Sequence, residues 1–326
     1  MPASNNFDYV RPAGLFNGHM ETIYPAFFRR ITCIPKSRRE RIDTPDNDFL
    51  DVDWFENDSS QVVIISHGLE GSSRKPYVLG MAKCFHDAGF DALAWNYRSC
   101  SGEMNRGRRM YHSGATDDLA SIVELAAAKY SEIFLVSFSL GGNLVLKYLG
   151  ERTCHPKIKK AVAISVPLDL HKSVQEMNSA KGWIYEKRFI SNLLKKAKIK
   201  ANQHPDIYDV DNLKQIKSLY DFDDLVTSRI HGFENAADYY QKCSSKNFLS
   251  TITIPTLVLN AMNDPINSKD SCDHELFKDL KHVYLESTKQ GGHVGFAQLG
   301  SKPYYWSEER ALRFCQENMN EPLGIS

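Results

Sequence analysis

Six short apolar runs, separated by longer amphipathic stretches, limit this chain to a narrow set of architectures. They are Val62-Val-Ile-Ile65, residues 90–95, Ile133-Phe-Leu-Val136, Ala161-Val-Ala-Ile164, Thr256-Leu-Val-Leu-Asn260 and Val283-Tyr-Leu-Glu286. A continuous apolar run of this length suits a strand buried on both faces, which requires helices above and below the sheet. The intervening stretches supply them: residues 77–88, stopped by Gly89, then 117–129, 143–149 and a last helix near 307–318. Residues 41–54 read as a hairpin, with Asp46-Asn-Asp48 as turn chemistry and Asp51 and Asp53 alternating against Leu50, Val52 and Trp54. The expectation is an α/β fold, a mostly parallel central sheet flanked by helices.

The alternation stops between residues 169 and 248. That stretch is Lys-rich, helical in pattern, and carries Trp183, Tyr185, Tyr208, Tyr220, Tyr239 and Tyr240. About 80 residues is too long for an ordinary loop, so it reads as a helical cap inserted after the sixth strand, the run Ala161-Val-Ala-Ile164 when both hairpin arms are counted. The core is then residues 1–168 plus 249–326, with 1–40 as an N-terminal extension packing on it. The cap aromatics are expected to form the cap's own core, while its apolar side walls the site beneath and excludes water.

Charge and cysteines exclude several functions. Lys+Arg and Asp+Glu both total 40 in 326 residues, so no global field draws the chain onto nucleic acid or an anionic membrane. The seven cysteines are odd in number and scattered, without zinc spacing, and read as reduced and largely buried. No secretory signal is visible in the first nine residues, and no apolar run could span a bilayer. A cytoplasmic protein without a transmembrane segment is expected.

The chemistry concentrates in Ser137-Phe-Ser139-Leu-Gly-Gly142-Asn143, where a strand turns into a helix. Small-x-Ser-x-Gly at such a junction is a nucleophile elbow, which lifts the serine hydroxyl above the sheet edge beside the positive end of a helix. A serine nucleophile needs a base, and the base an orienting acid. In α/β-hydrolases the order is Ser, acid, His, each after a strand. Asp264 in Asn263-Asp-Pro265 and His293 in Gly291-Gly-His-Val-Gly-Phe296 follow the last two apolar runs in that order. Asp169 is an alternative acid, although it also suits the first turn of the cap. The loop Ser66-His-Gly-Leu-Glu-Gly71 follows the first run and would offer a second oxyanion donor, so the N–H groups of Leu69 and Leu140 are the candidates. His67 is read as shaping that loop, Arg98 and Glu103 as bracing another, and Cys100 as structural.

Longer stretches carry a family resemblance. Asn17-Gly-His-Met-Glu-Thr-Ile-Tyr-Pro25, His67-Gly-Leu-Glu-Gly-Ser-Ser73, Asn96-Tyr-Arg-Ser-Cys-Ser-Gly-Glu103, Tyr111-His-Ser-Gly114 and the segments around Ser139, Asp264 and His293 resemble the YheT-like branch of α/β-hydrolases. These are esterases related to acyltransferases and monoacylglycerol lipases. Ser137 stands where relatives usually carry Gly. The resemblance implies the α/β-hydrolase fold and the triad Ser139, Asp264 and His293, with short- to medium-chain acyl esters or monoacylglycerols as substrates. No metal or organic cofactor is required. The same residues would serve an alcohol acyltransferase, and the fold could also carry a non-catalytic binding protein.

Overall fold

In a computed structural model, which describes residues 3–4, 9–298 and 303–317, the apolar runs pair into one nine-stranded sheet. In chain order the elements begin β1 (Ala3–Ser4), α1 (Gly18–Phe28), β2 (Arg38–Asp43), β3 (Phe49–Phe55), β4 (Gln61–Ser66), α2 (Pro76–Asp87) and β5 (Asp91–Asn96). There follow α3 (Thr116–Lys129), β6 (Glu132–Phe138), α4 (Leu140–Glu151) and β7 (Ile158–Ile164). The helical segment comes next: α5 (Leu170–Met177), α6 (Trp183–Gln203), α7 (Val210–Gln215), α8 (Leu219–Phe222), α9 (Ser228–His231) and α10 (Ala236–Cys243). The chain closes with β8 (Thr256–Ala261), β9 (Val283–Thr288) and α11 (Trp306–Gln316). Most of Met1–Tyr9 and Asn318, the expected end of the last helix, lie outside the described residues.

The strand order is β1-β9-β8-β7-β6-β4-β5-β3-β2. Pairing is parallel except β2 with β3 and β3 with β5. Successive residues of β4 serve opposite faces, as strand geometry demands. Val62 and Ile64 pack with Leu119, Ile122 and Leu144 of α3 and α4, while Val63 and Ile65 pack with Val78, Met81 and Phe314 of α2 and α11. Every residue of β4 but the first is buried, which is why the run shows no polar alternation.

The hairpin departs from its expected half-polar pattern, because all seven residues of β3 are buried. Arginines cover the face that Asp51 and Asp53 occupy. Arg41 pairs with Asp51, while Arg39 and Arg74 pair with Asp53, which also accepts the Ser73 hydroxyl. Arg98 is buried behind them, pairing with Asp46, Asp48 and Asp118 and tying the hairpin turn to α3. Glu103 pairs with Arg41 at the surface.

The helical segment has an apolar core of its own, with Leu170, Leu193, Ala197, Phe222, Tyr239 and Tyr240 packed together. Tyr185 and Tyr208 are buried with them, whereas Trp183 and Tyr220 remain exposed at 54% and 38%. The seven cysteines are unpaired; four are buried, Cys154 and Cys272 partly so, and Cys33 is exposed. Among the described residues no helix is long and apolar enough to cross a membrane.

Candidate active site

The C-terminal ends of β4, β6, β8 and β9 converge on one edge of the sheet, the edge where parallel α/β sheets place ligands. Ser139 occupies the turn between β6 and α4 with φ 53° and ψ −122°. Such backbone costs a residue bearing Cβ about 1–3 kcal/mol and persists only where the surroundings enforce it. Here they do. A Cβ on Gly141 would stand 2.5 Å from the carbonyl oxygen of His67 and 2.5 Å from the Tyr97 hydroxyl. Ser137 keeps its small volume and donates its hydroxyl to the Val162 carbonyl of β7 at 3.1 Å.

His293, beyond β9, reaches both partners. Its Nε2 lies 2.8 Å from Ser139 Oγ, and its Nδ1 lies 2.7 Å from Asp264 Oδ2. A carboxylate only accepts, so Nδ1 carries the proton and Nε2 is left to accept from the serine hydroxyl. Asp264 is fixed in turn by the N–H groups of Ile266 and Asn267 on Oδ1 and the Asn267 amide on Oδ2. The side chains of His293 and Asp264 are only 9% and 3% exposed, so water competes little for these bonds. Asp169, the alternative acid, caps α5 and pairs with Lys246 instead.

Residues 61–298 match the alpha/beta hydrolase fold family. The chain belongs to that family. It is 32% identical to YheT of Escherichia coli (strain K12), covering 94% of this chain and 92% of that protein. It is 30% identical to a monoacylglycerol lipase of Saccharomyces cerevisiae (strain ATCC 204508 / S288c), covering 83% of this chain and 62% of the lipase. Phospholipase ABHD3 of Homo sapiens is 28% identical over 80% of this chain and 67% of its own length. Among solved structures, the Pyrococcus furiosus esterase Pf2001 superposes with a TM-score of 0.57 at 18% identity, covering 86% of this chain and 92% of that one.

In this hydrolase the loop after β4 lies against the elbow. Leu69 and Ser139 line the same cavities, and neither the Leu69 nor the Leu140 N–H has an acceptor among the described residues. His67 is wholly buried; its Nδ1 faces the Gly68 carbonyl at 2.8 Å and its Nε2 accepts from the Tyr97 N–H at 3.2 Å. Burial pulls its pKa down to about 3, so it stays neutral and shapes the loop. Burial pushes the Cys100 thiol up to about 11, which leaves it a poor nucleophile.

The contribution of α1 was not read from the sequence. Thr22 Oγ1 accepts the His293 N–H at 2.9 Å, and Asn263 links the Gly292 N–H to the buried Glu21 carboxylate. Pro25 lacks an N–H, so the Glu21 carbonyl loses its helical donor, and the histidine loop packs there. A Cβ on Gly295 would stand 2.2 Å from that oxygen. Asn17-Gly-His-Met-Glu-Thr-Ile-Tyr-Pro25 was the available signal, since its Glu21 and Thr22 face the histidine loop while His19 meets Tyr185 of α6.

Two cavities meet at Ser139. One runs under the helical segment, lined by Leu140, Leu170, Val174, Phe222 and Asp223, with about 750 Å³ of empty space. The other, about 1300 Å³, opens between α1 and α6 and is lined by Thr22, Tyr77, Lys75, Arg188, His293 and Val294. Asp223 sits at the start of a π-helical turn, accepting the Thr227 and Tyr240 hydroxyls, and burial raises its carboxyl pKa to about 6.

Proposed function

We propose that the chain is a serine carboxylic-ester hydrolase acting on short- to medium-chain acyl esters or monoacylglycerols, with residues 169–248 as its cap. The observation that carries this reading is the continuous hydrogen-bonded run Ser139–His293–Asp264 beside the two unengaged N–H groups of Leu69 and Leu140. His293 Nε2 takes the proton as Ser139 Oγ attacks the ester carbonyl, and Asp264 holds the imidazolium in place. The N–H groups of Leu69 and Leu140 receive the oxyanion. The C–O bond then breaks and the leaving oxygen takes the proton from Nε2. Water, deprotonated by the same nitrogen, attacks the acyl enzyme; the acyl C–Oγ bond breaks, Ser139 Oγ takes the proton back from Nε2, and the acid is released.

That proton transfer allots the cavities. The leaving alcohol must lie beside Nε2, and His293 and Val294 line the open cavity between α1 and α6. The acyl chain then takes the cavity under the helical segment. A polar group limits its length: Asp223, which accepts the Thr227 and Tyr240 hydroxyls, lines that cavity. A long alkyl chain would press against that carboxyl without supplying a donor, at a cost of about 1–3 kcal/mol, which favours shorter acyl groups.

A fluorophosphonate probe, followed by mapping of the labelled peptide, tests the nucleophile. Labelling of Ser139 that disappears in Ser139→Ala is the expected result; labelling unchanged by that substitution would refute the assignment. A series of p-nitrophenyl esters then measures the acyl cavity, and added ethanol shows whether an alcohol also accepts the acyl group.

A further inference from the structure

The mouth of the open cavity is flanked by two helix faces of unusual composition. On α1, Ile23, Ala26 and Phe27 follow helical spacing and are exposed, Phe27 at 64% and the adjoining Phe28 at 67%, and the exposed Arg30 follows two residues past the helix end. At the start of α6, Trp183 and Ile184 are 54% and 50% exposed, followed on the same face by Lys187 and Arg188. The two faces form one surface, because the Arg188 guanidinium lies 5.3 Å over the Phe27 ring, and Ile23, Phe27, Ile184 and Arg188 all line the cavity mouth.

Cations outnumber acids on this surface, where Glu70 is held by Lys196 and the exposed Glu176 lies beside Gly182 at the start of α6. Lys75, Arg30, Lys181, Lys187 and Arg188 have no carboxylate partner among the described residues. The acids of α1 and of the first half of α6, Glu21 and Glu186, are both buried and turned inward. In a chain of zero net charge this is a local separation that composition hides.

We infer that this surface docks the protein on an anionic lipid layer, with the cavity mouth facing the layer so that an ester enters from it. Apolar side chains ringed by unpaired Lys and Arg are the chemistry that an interfacial helix presents to headgroups and acyl chains. A second copy of this chain fits poorly, since a two-fold contact would set the five cations against themselves. Docking itself does not depend on the proposed esterase chemistry; entry of an ester substrate does.

Flotation of the Ser139→Ala protein with vesicles separates the two. Vesicles of phosphatidylcholine containing about 30% phosphatidylserine should carry the protein upward at low salt, and phosphatidylcholine alone should carry much less. Lys181→Glu with Lys187→Glu should lower the bound fraction about tenfold, and so should Trp183→Ser with Phe28→Ser. Both double variants lie outside the cavities, so each should keep the parent rate on a soluble p-nitrophenyl ester while losing turnover of an ester carried in vesicles. Absence of binding, equal binding to both vesicle types, or a dimer that the double variants dissociate would each overturn docking. Loss of all ester turnover with vesicle binding intact would overturn the proposed reaction and leave docking standing.

Discussion

The sheet edge and the helical segment above it treat their polar groups in opposite ways. At the edge the groups that brace the elbow and His293 are engaged: Asp264 accepts from four donors, His67 uses both ring nitrogens, and Asn143 bonds the Ser113 and Cys243 carbonyls and the Ser245 N–H. In and beside the helical segment, Ser173 and Ser245 keep side-chain oxygens without protein partners, and Asp223 is buried with no cation against it; at the edge such oxygens lie on Asn267, Ser268 and Ser271 of the loop after β8. A saturated network has one low-energy geometry, whereas Asp223, which accepts from two hydroxyls and lines the cavity, keeps capacity for a ligand donor. The edge is therefore suited to fix chemistry and the helices to select among substrates.

The sharpest way to break that division is to remove the attacking atom. Ser139→Ala should lower kcat by about 10⁴-fold or more, with the thermal transition nearly unmoved, as measured by steady-state kinetics and calorimetry. Next comes the choice of acid. Asp264→Ala should cost about 10³- to 10⁴-fold in kcat, because His293 loses the partner that fixes its tautomer. Asp169→Ala, which removes a helix cap and the Lys246 pair, should stay within about threefold in kcat while losing about 1 kcal/mol of stability. Equal losses in the two variants would show that the acid is misassigned.

The two regions also differ in how much their residues disclose in sequence. The elbow, Asp264 and His293 are legible because each lies at the end of an apolar strand, where short-range patterns of small residues and turn formers carry the geometry. The mostly parallel sheet follows from the same runs, whereas its strand order, which places β4 between β6 and β5, depends on non-local pairing that the runs do not encode. The role of α1 is not local. Thr22 meets His293 across 271 positions, and the helix carries Pro25 in its interior, which weighs against reading it as a helix at all. Burial of Asp51 and Asp53 was hidden for a similar reason, since their arginine partners come from other strands and loops. The cavities depend on how the helices of residues 169–248 pack together, which periodicity does not encode.

Packing at the elbow gives the next test. Gly141→Ala should destabilise the fold by about 3 kcal/mol, because the added methyl meets backbone and a buried tyrosine that cannot withdraw. Denaturant unfolding measures it, and a loss below about 1 kcal/mol would mean that the elbow can relax.

The helical segment has a titrating counterpart. With its pKa raised to about 6, Asp223 binds a proton in the folded state at pH values where the unfolded chain has released it. Stability should therefore fall as pH rises from about 4 to about 6, by about 2–3 kcal/mol in all, and level off above that. Asp223→Asn should flatten this segment of the stability profile and change the p-nitrophenyl chain-length preference. An unaltered preference would remove Asp223 from the acyl cavity.

The smallest effect concerns Ser137. Replacing it with Gly removes the bond from its hydroxyl to the Val162 carbonyl and loosens a central strand, which together should cost about 1 kcal/mol. The turn at Ser139 should survive, because Gly141, the backbone bond from Ser139 to Ile164, and the packing around Tyr97 enforce it independently of residue 137. Ser137→Gly should accordingly keep kcat/KM within about threefold while lowering the denaturation midpoint. A clear gain in kcat/KM would reveal that the serine holds the elbow away from its best geometry, and that the sheet edge is less saturated than its hydrogen bonds imply.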